Sequence, residues 1–145
     1  MERADVTGVD VEGVGDPDDQ AVRMMAADRA SGLLGIEALE IRPGHARMAF
    51  TVTEPMLNGH DICHGGYVFL LADSAFAAAC NSGRTPTVAQ TAEIDFVTAA
   101  RLGDRLEAVA VERHAWGRSG ICDVTVTRGD ELVAVFRGRS RTLRT

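Results

Sequence analysis

Hydrophobic and polar positions change period several times along this chain. Asp16-Pro17-Asp18-Asp19 offers an N-capping acid, a proline at the first helical position and acids facing the positive end of a helix dipole. Val22, Met25, Ala26 and Arg29 then carry a helix that stops near Ser31-Gly32. From residue 33 the pattern becomes that of strands. Residues 33–41 and 45–53 form a hairpin turned at Pro43-Gly44. In the second strand Ala46, Met48, Phe50 and Val52 share one face, and Arg47, Ala49, Thr51 and Thr53 the other. Residues 56–64 read as a loop containing Asn58-Gly59. Residues 66–81 read as a long helix ended by Ser82-Gly83. Four strands follow, over 87–97, 105–115, 120–128 and 131–142, with turns at Gly103-Asp104, Trp116-Gly117-Arg118 and Gly129-Asp130. The long helix is apolar nearly all round and must be covered on most sides. An antiparallel sheet curled around it satisfies that need, so the expected class is α+β.

Length and charge narrow the functional classes. At 145 residues the chain forms one domain with a real core. Residues 1–15 are acidic, glycine-rich and without period, and predict a flexible tail ahead of a domain spanning 16–145. A net charge of −6 argues against a nucleic-acid binder. The longest apolar run is broken by Asp73 and is too short to span a bilayer. The first residues carry no apolar segment of signal-peptide type, and the cysteines (Cys63, Cys80, Cys122) are odd in number, so free thiols in a reducing cytoplasm are expected.

The candidate chemistry lies at His64-Gly65-Gly66 and Asp73. In residues 67–80 only Asp73 and Ser74 are strongly polar. A carboxylate in apolar surroundings is costly to keep charged unless something compensates, and chemistry is the usual compensation. The glycine pair lets a helix begin with bare backbone N–H groups open to a ligand. Other constellations are weaker. His60, Cys63 and His64 lack a further ligand cluster for zinc. Neither Cys63 nor Cys80 is expected as a nucleophile: the adjacent Cys63 and His64 side chains diverge, and Cys80 sits among alanines like a small core residue. Ser74 lacks a Gly-x-Ser-x-Gly turn, and Trp116 is expected to pack. Arg137, Arg139 and Arg141 alternate along the last strand and so share a face. They are candidates for phosphate binding or for a solvated sheet face, with Arg84 a similar candidate.

Leu57-Asn58-Gly59-His60, Cys63-His64-Gly65-Gly66, Leu71-Ala72-Asp73 and Ala79-Cys80-Asn81-Ser82, with the later Glu93-Ile94-Asp95-Phe96 and Phe136-Arg137-Gly138-Arg139-Ser140, resemble the hotdog-fold acyl-CoA thioesterases. Within them the likeness is to the phenylacetic-acid-degradation (PaaI-type) subgroup. It covers residues 17–143 and departs from the pattern at Thr98-Ala99-Ala100, where a proline-containing turn is expected. The resemblance implies a hotdog fold, a dimer whose sheets join edge to edge, and commonly a homotetramer. It implies hydrolysis of acyl-CoA, with phenylacetyl-CoA or hydroxyphenylacetyl-CoA favoured, and no metal or redox cofactor, coenzyme A being part of the substrate.

Spacing adds an inference of its own. Gly65 and Asp73 are eight residues apart, roughly 12 Å along a helix. A thioester carbonyl needs its donor and its attacking group each within about 3 Å. Two antiparallel copies of the helix meet that requirement and one copy does not, so a shared reaction implies at least a dimer. In this scheme the Gly65 N–H polarises the carbonyl, and Asp73 attacks it or deprotonates a water. Asn58 holds the carbonyl or a water, and His64 fixes the loop or lies near the thiolate leaving group. Two other readings stand beside it: a hotdog acyl-CoA hydratase or dehydratase, and a non-catalytic acyl-CoA-binding module.

Overall fold

The computed structural model describes residues 7 to 144. Helices α1 (Gln20–Ala26) and α2 (Arg29–Leu33) are followed by β1 (Glu37–Arg42), β2 (His45–Thr51) and a 3-10 turn over Glu54–Met56. Then come α3 (Gly65–Asn81), β3 (Thr87–Phe96), β4 (Arg105–Trp116), β5 (Ser119–Arg128) and β6 (Glu131–Thr142). The strands form one antiparallel sheet in the order β1-β2-β4-β5-β6-β3. The sheet wraps α3, as the hotdog arrangement requires. Among the described residues no helix is long and apolar enough to cross a membrane.

Packing explains the arrangement. Alternate residues of β4, β5 and β6 are buried, so each strand turns one face toward α3 and the other to solvent. Phe50, Met48, Leu106, Phe76, Leu71 and Met25 are among the largest fully buried side chains. α1 and α2 pack on the side of α3 away from the strands, which is why ten of its residues are buried. Asn81 fastens the helix to the sheet. Its amide donates to the carbonyls of Ala77 and Thr87 at 2.8 and 2.9 Å, and its oxygen accepts from the Thr87 N–H at 2.9 Å.

Several boundaries differ from expectation, each for a local reason. Residues 16–19 form a turn rather than the first helical turn, closed by the Asp19 N–H donating to the Asp16 carbonyl. Asp19 caps nothing on α1; its Oδ1 accepts from the Gly83 N–H at 2.7 Å and ties α1 to the end of α3. The single helix expected up to residue 31 is two helices, because Asp28 takes an extended backbone and caps α2 through the Ser31 N–H. Leu33 therefore ends a helix instead of beginning a strand, and the strand starts at Glu37. The expected free tail over 1–15 is corrected over its described part. Val9 is buried and its N–H donates to the Met25 carbonyl, while Val14 accepts from the Ile41 N–H. Residues 1–6 lie outside the described residues.

Gly138 marks the tightest approach of sheet to helix. A Cβ there would stand 2.6 Å from the ring of Phe76, which is fully buried. Gly138→Ala is therefore expected to destabilise the fold by about 1–3 kcal/mol through overpacking. The urea midpoint of unfolding measures it, and an unchanged midpoint would mean the ring has room to move.

Candidate active site

The site is built from the loop before α3, the first turn of that helix, the end of β3 and residue 73. His64 is the N-cap of α3, and its Nδ1 accepts from the Gly66 N–H at 3.1 Å. That bond takes one of the open donors of the helix start. The helix begins one residue earlier than expected, at Gly65, whose N–H has no acceptor among the described residues. The exposed edge of this first turn is thus an unfilled donor backed by the helix dipole.

Asn58 lies beside it. Its Oδ1 accepts from the N–H groups of His60 at 2.9 Å and of Ile62 at 3.4 Å. The Asn-Gly turn is therefore real, and it uses only the acceptor half of the amide. Nδ2, the donor half, has no partner among the described residues. Asn58 and Gly65 line one cavity of about 350 Å³, together with Val68, Phe96, Val97 and Val133. The walls are mostly apolar, which suits an acyl chain or ring and strengthens a hydrogen bond made inside.

Phe96 belongs to the Glu93-Ile94-Asp95-Phe96 motif but is not among the site residues expected from the sequence. Its ring covers Gly65 so closely that a Cβ on Gly65 would lie 2.8 Å from Cζ. A larger residue at 65 would require the Phe96 ring to move aside. The available signal was strand phase: Phe96 falls in step with the partly buried, core-packed Ile94 at the end of β3.

Asp73 does not line this cavity. It sits two turns along α3, half-buried, and makes no side-chain hydrogen bond among the described residues. A structural carboxylate would be expected to hold a neighbouring donor; this one holds none. Burial raises its pKa above the ordinary 3.8, and the charge of Asp28 raises it further. Ser74, its neighbour, is buried and bonded to Ser31 at 2.7 Å, so it is a structural hydroxyl.

The arginine candidates separate into two kinds. Arg137, Arg139 and Arg141 are exposed on the outer face of β6, as the alternation predicts. Arg137 is forked onto Asp123 at 2.7 and 3.0 Å, and Arg84 is bound to both oxygens of Glu112. Those two guanidinium groups are occupied by carboxylates. Arg139 and Arg141 have no carboxylate partner among the described residues.

The cysteines are free and buried. Burial pushes the Cys63 thiol up to about 11 and those of Cys80 and Cys122 up to about 12, so none is a thiolate near neutrality. Among the described residues no group of three His, Cys, Asp or Glu side chains is placed to hold a metal ion. Trp116 differs from expectation: it is exposed at the β4–β5 turn, stacked on His114 with ring centroids 5.6 Å apart, and packs into no core.

Comparison with known proteins agrees with this geometry. Residues 60–135 match the family described as the Thioesterase superfamily. The chain is 43% identical over 118 residues to the acyl-coenzyme A thioesterase PaaI of Escherichia coli K12, covering 81% of this chain and 84% of that protein. The structure of the E. coli PaaI protein superposes with a TM-score of 0.83 at 40% identity, over 86% of this chain and 91% of that one. A mutant of the phenylacetic acid degradation protein PaaI from Thermus thermophilus superposes with a TM-score of 0.78 at 38% identity, over 80% of this chain and all of that one. The chain belongs to the thioesterase superfamily, as a hotdog-fold acyl-CoA thioesterase of the PaaI type.

Proposed function

We propose that the protein hydrolyses arylacetyl-CoA thioesters, with phenylacetyl-CoA or hydroxyphenylacetyl-CoA as substrate, at sites shared between two subunits. The observation that carries this reading is Asp73: a half-buried carboxylate with no hydrogen-bond donor among the described residues and a raised pKa. Such a group binds a proton, or attacks a carbonyl, more readily than an exposed aspartate. The substrate carbonyl enters the cavity lined by Asn58 and Gly65 of one subunit and accepts from the Gly65 N–H and the Asn58 amide. Asp73 comes from α3 of the partner, antiparallel to the first. It adds to the carbonyl carbon, expelling the CoA thiolate and leaving an anhydride that water hydrolyses. Alternatively it takes a proton from a water that adds instead, and the same thiolate leaves. The products are the free acid and CoA by either route. His64 shapes the helix start through Gly66 and leaves the Gly65 donor open. Nδ1 of His64 is committed to the helix start, which leaves one ring nitrogen for acid–base work, and on that ground the hydratase reading is the weaker one.

The free edge of β3 supports the subunit arrangement. Its outer residues are exposed over nearly the whole strand, including Val88 and Phe96. Long unpaired edges invite a second strand. Two copies joined there bring their α3 helices alongside, and the same dimer pairs further into a tetramer. Arg139 and Arg141, which carry no carboxylate among the described residues, bind the CoA phosphates. The scheme uses no metal or redox group, and the buried reduced cysteines suit the cytoplasm.

Thiol release from phenylacetyl-CoA is expected to exceed release from short aliphatic acyl-CoAs, and a preference for the aliphatic thioesters would refute the substrate assignment. Asp73→Asn should lower kcat by about 10²- to 10⁴-fold. The same variant should be more stable than the parent at neutral pH. The folded state binds the Asp73 proton more tightly than the unfolded chain does. The stability tied to that proton is therefore complete below about pH 3.8 and is lost as pH rises through the higher folded value. The gain in Tm should accordingly vanish in acid, and a loss of Tm at pH 7 would contradict it.

The two halves of the Asn58 amide are separable. Asn58→Asp keeps the oxygen that closes the turn and removes the donor. It should retain the parent Tm while losing about 100-fold in kcat/KM. Equal losses of stability and rate would assign Asn58 to the turn alone.

A further inference from the structure

We propose that Asp28 is a positioning residue for Asp73, acting through a buried chain of two serine hydroxyls that fixes the turn of α3 on which Asp73 stands. The inference rests on the reading of Asp73 as the reacting carboxylate. Asp28 stands at the break between α1 and α2. Its Oδ1 accepts from the Ser31 N–H at 3.0 Å, and its Oδ2 accepts from the Ser31 hydroxyl at 2.6 Å. The Ser31 oxygen lies 2.7 Å from the Ser74 oxygen. A carboxylate only accepts, so the Ser31 proton is committed to Asp28, and Ser74 must donate to Ser31. The chain runs in one direction, Ser74 to Ser31 to Asp28, and ends on a charge. Ser31 and Ser74 are buried, where a charge-assisted bond is stronger than in water.

The direction matters because Ser74 follows Asp73 on α3. Successive residues of a helix project about 100° apart. Fixing Ser74 against α2 therefore fixes the rotation of α3 about its axis, and with it the side on which the Asp73 carboxylate emerges. The same geometry brings one negative charge near another. Burial raises the Asp73 pKa, and the charge of Asp28 raises it further; the other charged groups on the elements around it are Asp19 and Arg23 of α1, Arg29 of α2, and the Arg84–Glu112 pair at the far end of α3. Cys80, further along the helix, is a thiol held protonated.

A helix cap alone would explain the bond to the Ser31 N–H, so the test separates the cap from the coupling. Asparagine caps helices as well as aspartate does. Asp28→Asn in the full-length oligomer therefore keeps α2 and removes the charge. The readout is the titration of the Asp73 carboxyl carbon by ¹³C NMR, assigned by its disappearance in Asp73→Asn, beside the pH profile of kcat/KM. The midpoint and the acid limb should both move to lower pH in Asp28→Asn. Ser31→Ala keeps the charge and cuts the chain, and should lower kcat about tenfold with KM little changed. An Asp73 midpoint that stays where it is in Asp28→Asn, or a Ser31→Ala enzyme with the parent kcat, would overturn the proposal. The reading of Asp73 itself fails separately, if Asp73→Asn still turns over.

Discussion

An α-helix advances 1.5 Å per residue, and this fixed rise governs what α3 is able to do. Its first residue carries an N–H unfilled among the described residues, and its one charged side chain follows eight residues later, roughly 12 Å on. The carbon and oxygen of a thioester carbonyl are about 1.2 Å apart. A single copy of α3 therefore cannot offer both groups to one carbonyl, however the surrounding loops move. In the proposed reading a second, antiparallel copy supplies what the first lacks. The exposed β3 edge, the apolar cavity that holds Asn58 and Gly65 but not Asp73, and the unpartnered state of all three polar groups then follow from one requirement.

That requirement has an energetic cost, carried by the rest of the fold. Burial and, after it, the like charge of Asp28 disfavour the charged form of Asp73, which makes no hydrogen bond among the described residues. Such a site persists only when its surroundings hold it in place. Here α3 is clasped by α1 and α2 on one side and by the sheet on the other. It is pinned at its end by Asn81 and Asp19, and near its middle by Ser74. The Gly138–Phe76 approach lets the sheet close tightly enough to do this.

Much of this was legible before any coordinates. The central helix, its glycine start and its single acid stand out because a polar residue in an apolar run has few explanations. The alternation along β6 correctly put three arginines on one face. The carboxylates that occupy Arg137 and Arg84 were not legible, since Asp123 and Glu112 lie 14 and 28 residues away in sequence. The break at Asp28 was hidden because Val22, Met25, Ala26 and Arg29 keep helical spacing through it. The competing cue, an aspartate three residues before Ser31, is a capping signal that the apolar pattern outweighed. Phe96 differs again: strand phase with Ile94 marks its face, but its contact with Gly65, 31 residues earlier, is a tertiary approach that the phase alone does not give.

The sharing of the site between subunits is tested most directly by complementation. An Asp73→Asn chain and an Asn58→Asp chain, each inactive alone, are given different tags, co-expressed and purified as hybrids. A hybrid holds one site with an intact Asn58 from the first chain and an intact Asp73 from the second. It should recover close to half the parent activity per dimer. If each site lies within one chain, every site in the hybrid carries a lesion. Hybrids no more active than the two variants alone would contradict the account.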